Sequence, residues 1–130
     1  MIQEIAIKTG KRIELIDITS QVQEVVAKSG VKEGICVVYS PHTTAAVIIT
    51  ENADPSVQHD IITKLNKLVP ANDGYTHSEG NSDSHIKSAV IGNSRTILVQ
   101  SGRLVLGTWE GAMLAEFDGP RDRKLLVSIK

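Results

Sequence analysis

Three of the four histidines of this chain, His42, His77 and His85, lie in polar segments beside predicted strands. Neutral imidazole is a common ligand of zinc and related metals, so these side chains are candidate metal ligands. His77 and His85 are eight residues apart and lack the i, i+4 register that brings two side chains together on one helix face. The spacing matches no established metal motif, and hydrogen bonds to backbone or solvent are the alternative. The fourth histidine, His59, falls opposite the apolar face of a predicted helix and is expected to be exposed.

Four carboxylates could act as a general base or bind Mg²⁺, namely Glu51, Asp54, Asp60 and Glu79. Glu51 directly follows an apolar strand, which would hold it in place, and we take it as the candidate base. Asp54 precedes a proline and has a second explanation as a helix N-cap. Asp60 has the alternative of facing solvent from the flank of the same helix.

Groups that could bind an anion occur in two segments, Thr43-Thr44 and Gly80-Asn81-Ser82, which offer hydroxyls and backbone N–H groups. Lys87 and Arg103 could add positive charge. Ser, Thr and Gly are also ordinary turn residues, so the pattern alone is not specific. The chain contains no phosphate-loop or dinucleotide fingerprint and no signature of a Ser-His-Asp or Cys-His catalytic group.

Apolar spacing predicts the strands that would position these groups. Alternation in 4–8 and 13–18, with a Gly-Lys turn between them, predicts a hairpin with one buried face. The continuous apolar runs 34–39 and 45–50 predict two interior strands. Further strands in the region 97–129 bring the expected total to roughly eight.

Two main helices are predicted. The first is capped by Thr19 or Ser20 and ends at Gly30. The second follows Asp54 and ends at Pro70. The polar segment 70–84 predicts a long loop, and 86–91 predicts a short helical turn or strand. A polar loop of this length usually carries a function.

The candidate groups fall at both ends of the predicted strand 45–50. At about 3.3 Å per residue, this strand holds its two flanking loops roughly 20 Å apart. One chain would therefore struggle to gather all of these groups in one pocket, whereas a subunit interface could do so.

Composition indicates a single globular domain spanning residues 1–130. Of its residues, 41% are hydrophobic and 22% are charged, and the net charge is −1. Four aromatic residues are too few for a stacking platform and no basic run is present, so we expect no nucleic-acid partner. No targeting segment is found and no stretch approaches the ~20 apolar residues of a membrane span, so we expect a soluble, cytoplasmic protein with no membrane partner.

Four motifs follow one another along the chain. They are SPHTTA from Ser40, ENADP from Glu51 with Asp60, HSEGNSDSHIK from His77, and GRL from Gly102 followed by GTWEG. Together they resemble the YjbQ-like family, also described as secondary thiamine-phosphate synthases. The resemblance covers nearly the whole chain.

The resemblance implies a single-domain α+β fold, with β-sandwich-like mixed or antiparallel sheets and two main helices, assembled as a homotrimer. It implies a polar pocket near the subunit interface, where His42, His77 and His85 gather as a metal or anion site. The residues that belong to the family pattern are Glu51, Asn52, Asp54, Asp60, Arg103 and Trp109. Glu110 stands where glutamine is expected.

The activity implied by the resemblance joins hydroxymethylpyrimidine diphosphate to thiazole phosphate and releases diphosphate, as a main or side activity. Under this hypothesis the catalytic residues are Glu51, Asp60 and Arg103. The small phosphorylated substrate is bound by Thr43, Thr44, Asn52, Asp54, Asn81, Lys87 and Trp109. Tyr75 and Trp109 would shield the electrophilic carbon, and Mg²⁺ would accompany the diphosphate.

Two alternatives stay open. Three imidazoles favour a zinc-type metal over Mg²⁺, and a three-histidine site with an open position activates water. The chain could therefore be a zinc-dependent hydrolase or lyase that acts on a small phosphorylated metabolite, with Glu51 as base. It could also be a non-catalytic trimer that binds a metal or a metabolite.

Overall fold

Short segments rich in β-branched and aliphatic residues form eight strands, and three segments form helices. In the computed structural model, which describes residues 1–130, the strands are β1 (Ile2–Lys8), β2 (Glu14–Asp17), β3 (Glu33–Tyr39), β4 (Ala45–Glu51), β5 (Ser94–Gln100), β6 (Arg103–Leu104), β7 (Glu110–Glu116) and β8 (Asp122–Ile129). The helices are α1 (Thr19–Ser29), α2 (Pro55–Leu68) and α3 (Ser82–Ile91). The predicted α+β class is confirmed, but the prediction of two main helices is wrong because α3 is a third.

The strands form two sheets. The larger has the strand order β1-β8-β3-β5-β6, and the smaller has the order β2-β7-β4. Every neighbouring pair of strands is antiparallel. Of the two sheet types expected, mixed and antiparallel, the structure therefore shows the antiparallel one.

The predicted hairpin of the first two strands is wrong. β1 pairs with β8, with Ile5 opposite Leu125, and β2 pairs with β7 in the other sheet. Alternation identifies a half-buried strand and the face it buries, but it does not select the partner strand. The segment after β1 bonds to the turn before β8, where the N–H of Thr9 donates to the carbonyl of Arg121 at 2.9 Å.

The inner faces of both sheets enclose the main core together with α1. Val22 and Val26 of α1 are fully buried there. Alternate residues of β4 serve two clusters: Val47 joins the main core, whereas Ala46 packs on the opposite side, where α2 and α3 cover the smaller sheet. Because β4 is held on both faces, the loops at its two ends have fixed positions.

The helix ends follow the sequence in part. The predicted cap of α1 by a hydroxyl is wrong: the Asp17 carboxylate instead accepts the N–H of Thr19 at 2.9 Å and its hydroxyl at 2.6 Å. α1 ends as predicted, at Gly30 with a φ of 72°. The predicted start of α2 is confirmed, since Asp54 accepts the N–H of Ser56 at 2.9 Å. None of the three helices has the length and apolarity needed to cross a membrane.

Helix α3 lies where the sequence predicts the end of a loop followed by a short turn or strand. Its buried residues are all polar: Asp83, Ser84, Lys87 and Ser88. Nη2 of Arg12 donates to both oxygens of Asp83 at 3.2 Å, and Nζ of Lys87 lies 3.6 Å from Oδ2 of Asp83. Because ion pairs replace apolar packing, the helix lacks the apolar period by which it could be recognised.

The outer face of the larger sheet is uncovered. Five exposed apolar residues lie on it, which we call the outer apolar face: Ile2, Ile35, Tyr39, Leu98 and Val105. Ile35 stands directly opposite Leu98, and the N–H of Val105 donates to the carbonyl of Leu98, so the residues of β3, β5 and the β6 end are neighbours. Apolar surface that is contiguous in this way is typical of an interface.

Candidate functional site

Three segments distant in sequence meet in one cleft of about 490 Å³, which we call the imidazole cleft. They are the β3–β4 loop, the segment 77–85, and the turn before β8 with the start of that strand. No hydrophobic residue lines the cleft, and its lining residues are Pro41, His42, Thr43, Thr44, His77, Glu79, Asn81, His85, Asp118, Arg121 and Arg123. The cleft therefore brings together the three candidate metal ligands and three of the candidate anion-binding residues, Thr43, Thr44 and Asn81.

His42 is held by its own loop and by β8. Oγ of Ser40 donates to the carbonyl of Ala45 at 2.8 Å and accepts the N–H of His42 at 3.3 Å. Nε2 of His42 lies 3.0 Å from the backbone nitrogen of Lys124 and 3.1 Å from its carbonyl oxygen. Burial lowers the pKa of His42, and the positive charge of Arg123 lowers it further. The imidazole is therefore neutral at neutral pH.

Arg123 enters the cleft from β8 and pairs with Glu116 of β7. Its Nε donates to Oε1 of Glu116 at 2.8 Å, and its Nη2 donates to Oε2 at 2.5 Å and to Oγ1 of Thr44 at 2.8 Å. Glu116 also accepts the hydroxyl of Thr9 at 2.8 Å and the N–H of Asp118 at 3.0 Å. Burial alone would raise the pKa of Glu116, but these hydrogen bonds outweigh burial and leave its pKa below the ordinary value.

The segment 77–85, which leads into α3, contributes two imidazoles and an amide to the cleft. The rings of His77 and His85 meet edge to face, with centroids 5.4 Å apart. Nδ2 of Asn81 donates to Oδ2 of Asp118 at 2.8 Å, and Nη2 of Arg121 donates to the same oxygen at 3.0 Å. Oδ1 of Asn81 is buried and has no hydrogen-bond partner within the chain. This side of the cleft therefore contains a buried acceptor that the chain does not use.

The three histidines share the cleft without forming a ready coordination site. No group of three His, Cys, Asp or Glu side chains is close enough to hold a metal ion. Nε2 of His42 is engaged by Lys124, which leaves Nδ1 as its free ring nitrogen. A zinc site needs its imidazole nitrogens at about 2.0 Å from one point. The donor set of a single chain therefore does not fit a three-histidine zinc site, and metal binding by these residues stays a prediction.

Three residues of the cleft are not predicted from the sequence: Asp118, Arg121 and Arg123. Their segment has the composition of an ordinary polar turn before the last strand. One signal could have found Arg123. It occupies the same strand face as Leu125 and Val127, which are fully buried core residues. A charged residue in that pattern requires a partner, which points to a site.

Lys87, a candidate phosphate-binding residue, lies outside the cleft. It is 1% exposed, and its Nζ donates to Oδ1 of Asn66 at 2.8 Å. Burial lowers the pKa of Lys87, and the nearby Asp83 carboxylate only partly offsets this. Lys87 therefore joins α3 to α2 inside the protein and does not reach the cleft.

Glu51, Asn52, Asp54 and Trp109 lie together at the other end of β4. The N–H of Asn52 donates to the carbonyl of Trp109 at 3.0 Å, and its Nδ2 donates to Oδ2 of Asp17 at 3.1 Å. Oε2 of Glu51 accepts the N–H of Asp54 at 3.2 Å. The seven residues of β4 separate this group, which we call the far-end group, from the imidazole cleft, a span of roughly 20 Å.

Two further candidates lie in neither place. Arg103 borders a separate cleft of about 430 Å³ beside α1, and Asp60 is exposed on α2. The hydroxyl of Tyr75 donates to the carbonyl of Pro70 at 2.7 Å, whereas Trp109 belongs to the far-end group. One chain therefore does not assemble the aromatic wall expected from Tyr75 and Trp109.

The fold and the cleft together define the class of protein to which the chain belongs. It is a single-domain α+β protein with two antiparallel sheets, three helices and a polar cleft lined by three histidines. A family model described as UPF0047 protein YjbQ-like matches residues 3–130, and the chain belongs to this family. The family predicted from the four motifs is thus confirmed.

Relatives from distant organisms match nearly the whole length of the chain. A UPF0047 protein of Methanocaldococcus jannaschii is 54% identical over 129 residues, which cover 99% of this chain and 94% of that protein. The UPF0047 protein YugU of Bacillus subtilis is 42% identical over 130 residues, with coverage of 99% and 98%.

Solved structures show the same fold. A crystal structure of a YjbQ/UPF0047 family protein from Clostridium acetobutylicum is similar with a TM-score of 0.97 at 48% identity, covering 98% of this chain and 99% of that one. A YbjQ-like protein of unknown function from Sulfolobus solfataricus has a TM-score of 0.95 at 35% identity, with coverage of 99% and 95%. None of these descriptions names an activity, so a functional proposal must rest on the site and the motifs.

Proposed function

We propose that the imidazole cleft binds the phosphoryl group of a small phosphorylated metabolite, and that the chain is an enzyme acting on that metabolite. The observation that carries this proposal is the lining, in which three imidazoles, two guanidinium groups and two threonines surround a space of about 490 Å³ without a hydrophobic residue. Two carboxylates also line it, Glu79 and Asp118, and Asp118 is paired with Asn81 and Arg121. Guanidinium groups and hydroxyls pair with phosphoryl oxygens. A cleft of this size suits a small molecule.

The reaction we propose joins hydroxymethylpyrimidine diphosphate to thiazole phosphate. The thiazole nitrogen forms a bond to the pyrimidine methylene carbon, the bond from that carbon to the diphosphate oxygen breaks, and the products are thiamine phosphate and diphosphate. Charge that builds on the departing diphosphate is stabilised by donors already fixed in place. The class of ligand rests on the cleft, whereas the choice of these two substrates rests on the motif resemblance.

The proposal includes a homotrimer. The far-end group, which carries Glu51, Asn52, Asp54 and Trp109, lies roughly 20 Å from the cleft of its own chain. A ring of three chains can set the far end of one chain against the cleft of the next, because head-to-tail contacts close at three subunits when the rotation permits. The residues of the family pattern would then share one pocket.

The assay uses the purified full chain with both substrates and Mg²⁺, and it measures thiamine phosphate and diphosphate together. We expect the two products in equal amounts, and we expect His85→Ala to lower kcat/KM. His59→Ala is the matched control, because His59 is exposed on α2 and lies outside the cleft. Absence of both products with Mg²⁺, Mn²⁺ or Zn²⁺ present would contradict the proposal.

A second candidate is a zinc-dependent hydrolase or lyase acting on a small phosphorylated metabolite. The observation that favours it is that three histidines line the same cleft, since imidazole can bind zinc and can accept a proton as a general base. Glu51, the base expected from the sequence, belongs to the far-end group instead. Zinc-dependent release of inorganic phosphate that is lost in His77→Ala would support this candidate, and thiamine-phosphate formation that survives His77→Ala would exclude it.

A third outcome remains for the same samples. If no phosphorylated metabolite is turned over but one of them raises the melting temperature of the wild-type chain, the protein is a binding module and not an enzyme.

A further inference from the structure

Two side chains of the imidazole cleft are more than nine-tenths buried, yet each keeps a hydrogen-bond donor that the chain does not use. Arg123 is 6% exposed and Thr44 is 7% exposed, and both line the cleft. Buried partners hold the rest of both side chains in place, whereas the unused donors are free to bind a ligand that enters the cleft. Two fixed donors side by side in a cleft therefore suit an anionic ligand.

The unused donor of Arg123 is Nη1. Nε and Nη2 are committed to Glu116 and Thr44, whereas the chain offers Nη1 no acceptor. Only two buried polar side-chain atoms lack a partner, Oδ1 of Asn81 and Oγ of Ser88. Since Nη1 also lacks a partner and is neither of these, it is not buried. Nη1 is therefore the part of this side chain that is open to the cleft.

The unused donor of Thr44 is its hydroxyl hydrogen. Oγ1 accepts from Nη2 of Arg123 at 2.8 Å, and the hydroxyl donates to no group of the chain. A threonine hydroxyl holds one donor and two acceptor positions, so the hydrogen stays available once an acceptor position is filled. The same 2.8 Å contact places this hydroxyl beside the guanidinium group.

We propose that Nη1 of Arg123 and the hydroxyl of Thr44 form a preorganised subsite for the oxygens of a phosphoryl group. The inference rests on the proposed function and identifies which part of the cleft holds the phosphoryl group. Arg123 belongs to none of the four motifs, so the resemblance does not assign it this role.

Glu116 is the positioning residue of the subsite. Its two oxygens accept from Nε and Nη2 of Arg123, from the hydroxyl of Thr9 and from the N–H of Asp118. These bonds fix the guanidinium plane and balance its charge while the cleft is empty, so a buried cation does not stand alone. Arg121 is a weaker receptor, because about half of its side chain is exposed (51%) and water screens its charge.

Calorimetric titration of the full chain with inorganic phosphate and with diphosphate tests the subsite, with acetate as the control anion. We expect Arg123→Lys and Thr44→Val each to weaken phosphate binding by about tenfold or more, because hydrogen bonds to charged groups are lost. Arg95→Lys and Thr96→Val are matched controls on β5 outside the cleft, and neither should change the affinity. Loss of affinity in Arg121→Lys with no change in Arg123→Lys would overturn the proposal, as would equal affinity for acetate and phosphate.

Because Arg123→Lys alters a buried ion pair, a second measurement uses the wild-type chain alone. Side-chain N–H signals of arginine are followed by NMR while phosphate is added. We expect the guanidinium signals of Arg123 to move with saturation, whereas movement confined to Arg121, or no movement at millimolar phosphate, would overturn the subsite.

Failure of the subsite and failure of the proposed enzyme give different results. Thiamine-phosphate formation at the wild-type rate in Arg123→Lys would contradict the subsite and support the enzyme. Phosphate binding that depends on Arg123 without any turnover would support the subsite and contradict the enzyme.

Discussion

Glu116 is the residue from which we expect the stability of the fold to depend on acid pH. Its carboxylate is fully buried and accepts hydrogen bonds from Arg123, Thr9 and Asp118, which keep its pKa below the ordinary value of 4.5. A group whose pKa is depressed by folding contributes stability above its unfolded-state pKa. That contribution is lost as the pH falls through the folded-state pKa.

We therefore predict that Glu116→Gln lowers stability by about 3–5 kcal/mol at neutral pH, because it leaves the charge of Arg123 without its partner. The difference from wild type should shrink as the pH falls below the ordinary pKa of 4.5, where the wild-type carboxyl also becomes protonated. Urea unfolding of the wild-type and variant chains between pH 7 and pH 3 measures this difference in the free energy of unfolding. A difference that does not vary with pH would contradict this account of Glu116.

Gly111 shows how tightly the far-end group is packed. A Cβ at Gly111 would lie 2.5 Å from Nδ2 of Asn52, the atom that donates to Asp17. We predict that Gly111→Ala costs about 1–3 kcal/mol, because Asn52 must move and give up that hydrogen bond. Gly10→Ala is the control, since its Cβ would find no atom nearer than 3.9 Å. Equal thermal stability of the two variants would show that Asn52 moves without cost.

Helix α3 explains why part of the fold was predictable and part was not. α2 has an N-cap, a proline at its first position and an apolar face, and it begins where the sequence predicts. α3 buries Asp83 and Lys87 instead of apolar residues, so no periodic signal marks it. A sequence pattern records which side of an element is apolar, but it cannot show that a distant Arg12 will neutralise a buried carboxylate.

The same limit applies to the site. The sequence predicts His42, His77, His85, Thr44 and Asn81 as site residues, and all five line one cleft. The predicted strand 45–50 also separates Glu51 from them by roughly 20 Å, and β4 confirms that separation. The place of Trp109 beside Glu51 follows from the pairing of β4 with β7, and strand pairing is a long-range property that local patterns do not encode.

Helix α3 should depend on its buried ion pair as a unit. We predict that Asp83→Asn and Lys87→Met each destabilise the protein, because each leaves a charge without its partner. The double variant should cost less than the sum of the two, with a coupling of about 0.5–3 kcal/mol in urea unfolding. The pair Glu24 and Lys28 on α1 is the control, since both side chains are mostly exposed and their double variant should be additive. Additivity at both pairs would mean that Asp83 and Lys87 do not stabilise each other.

The two sheets of the molecule differ in how they are covered. The smaller sheet packs on the main core with one face and on α2 and α3 with the other. The larger sheet packs on the main core with its inner face only, and its other side is the outer apolar face. A monomer would leave Ile35 and Leu98 side by side in water, at 44% and 62% exposure. Association of chains would remove this surface from water.

The proposed homotrimer therefore predicts a particle of about three times the 14.0 kDa chain mass in light scattering. Leu98→Glu should dissociate it, because a carboxylate placed in an apolar interface must lose its hydration without a partner. Leu68→Glu is the matched control, since Leu68 on α2 is equally exposed at 65% and lies away from the outer apolar face. Dissociation by Leu68→Glu alone would show that the interface lies on α2 instead. A monomeric wild-type chain would contradict the proposed interface, and the far-end group could then play no part in the imidazole cleft.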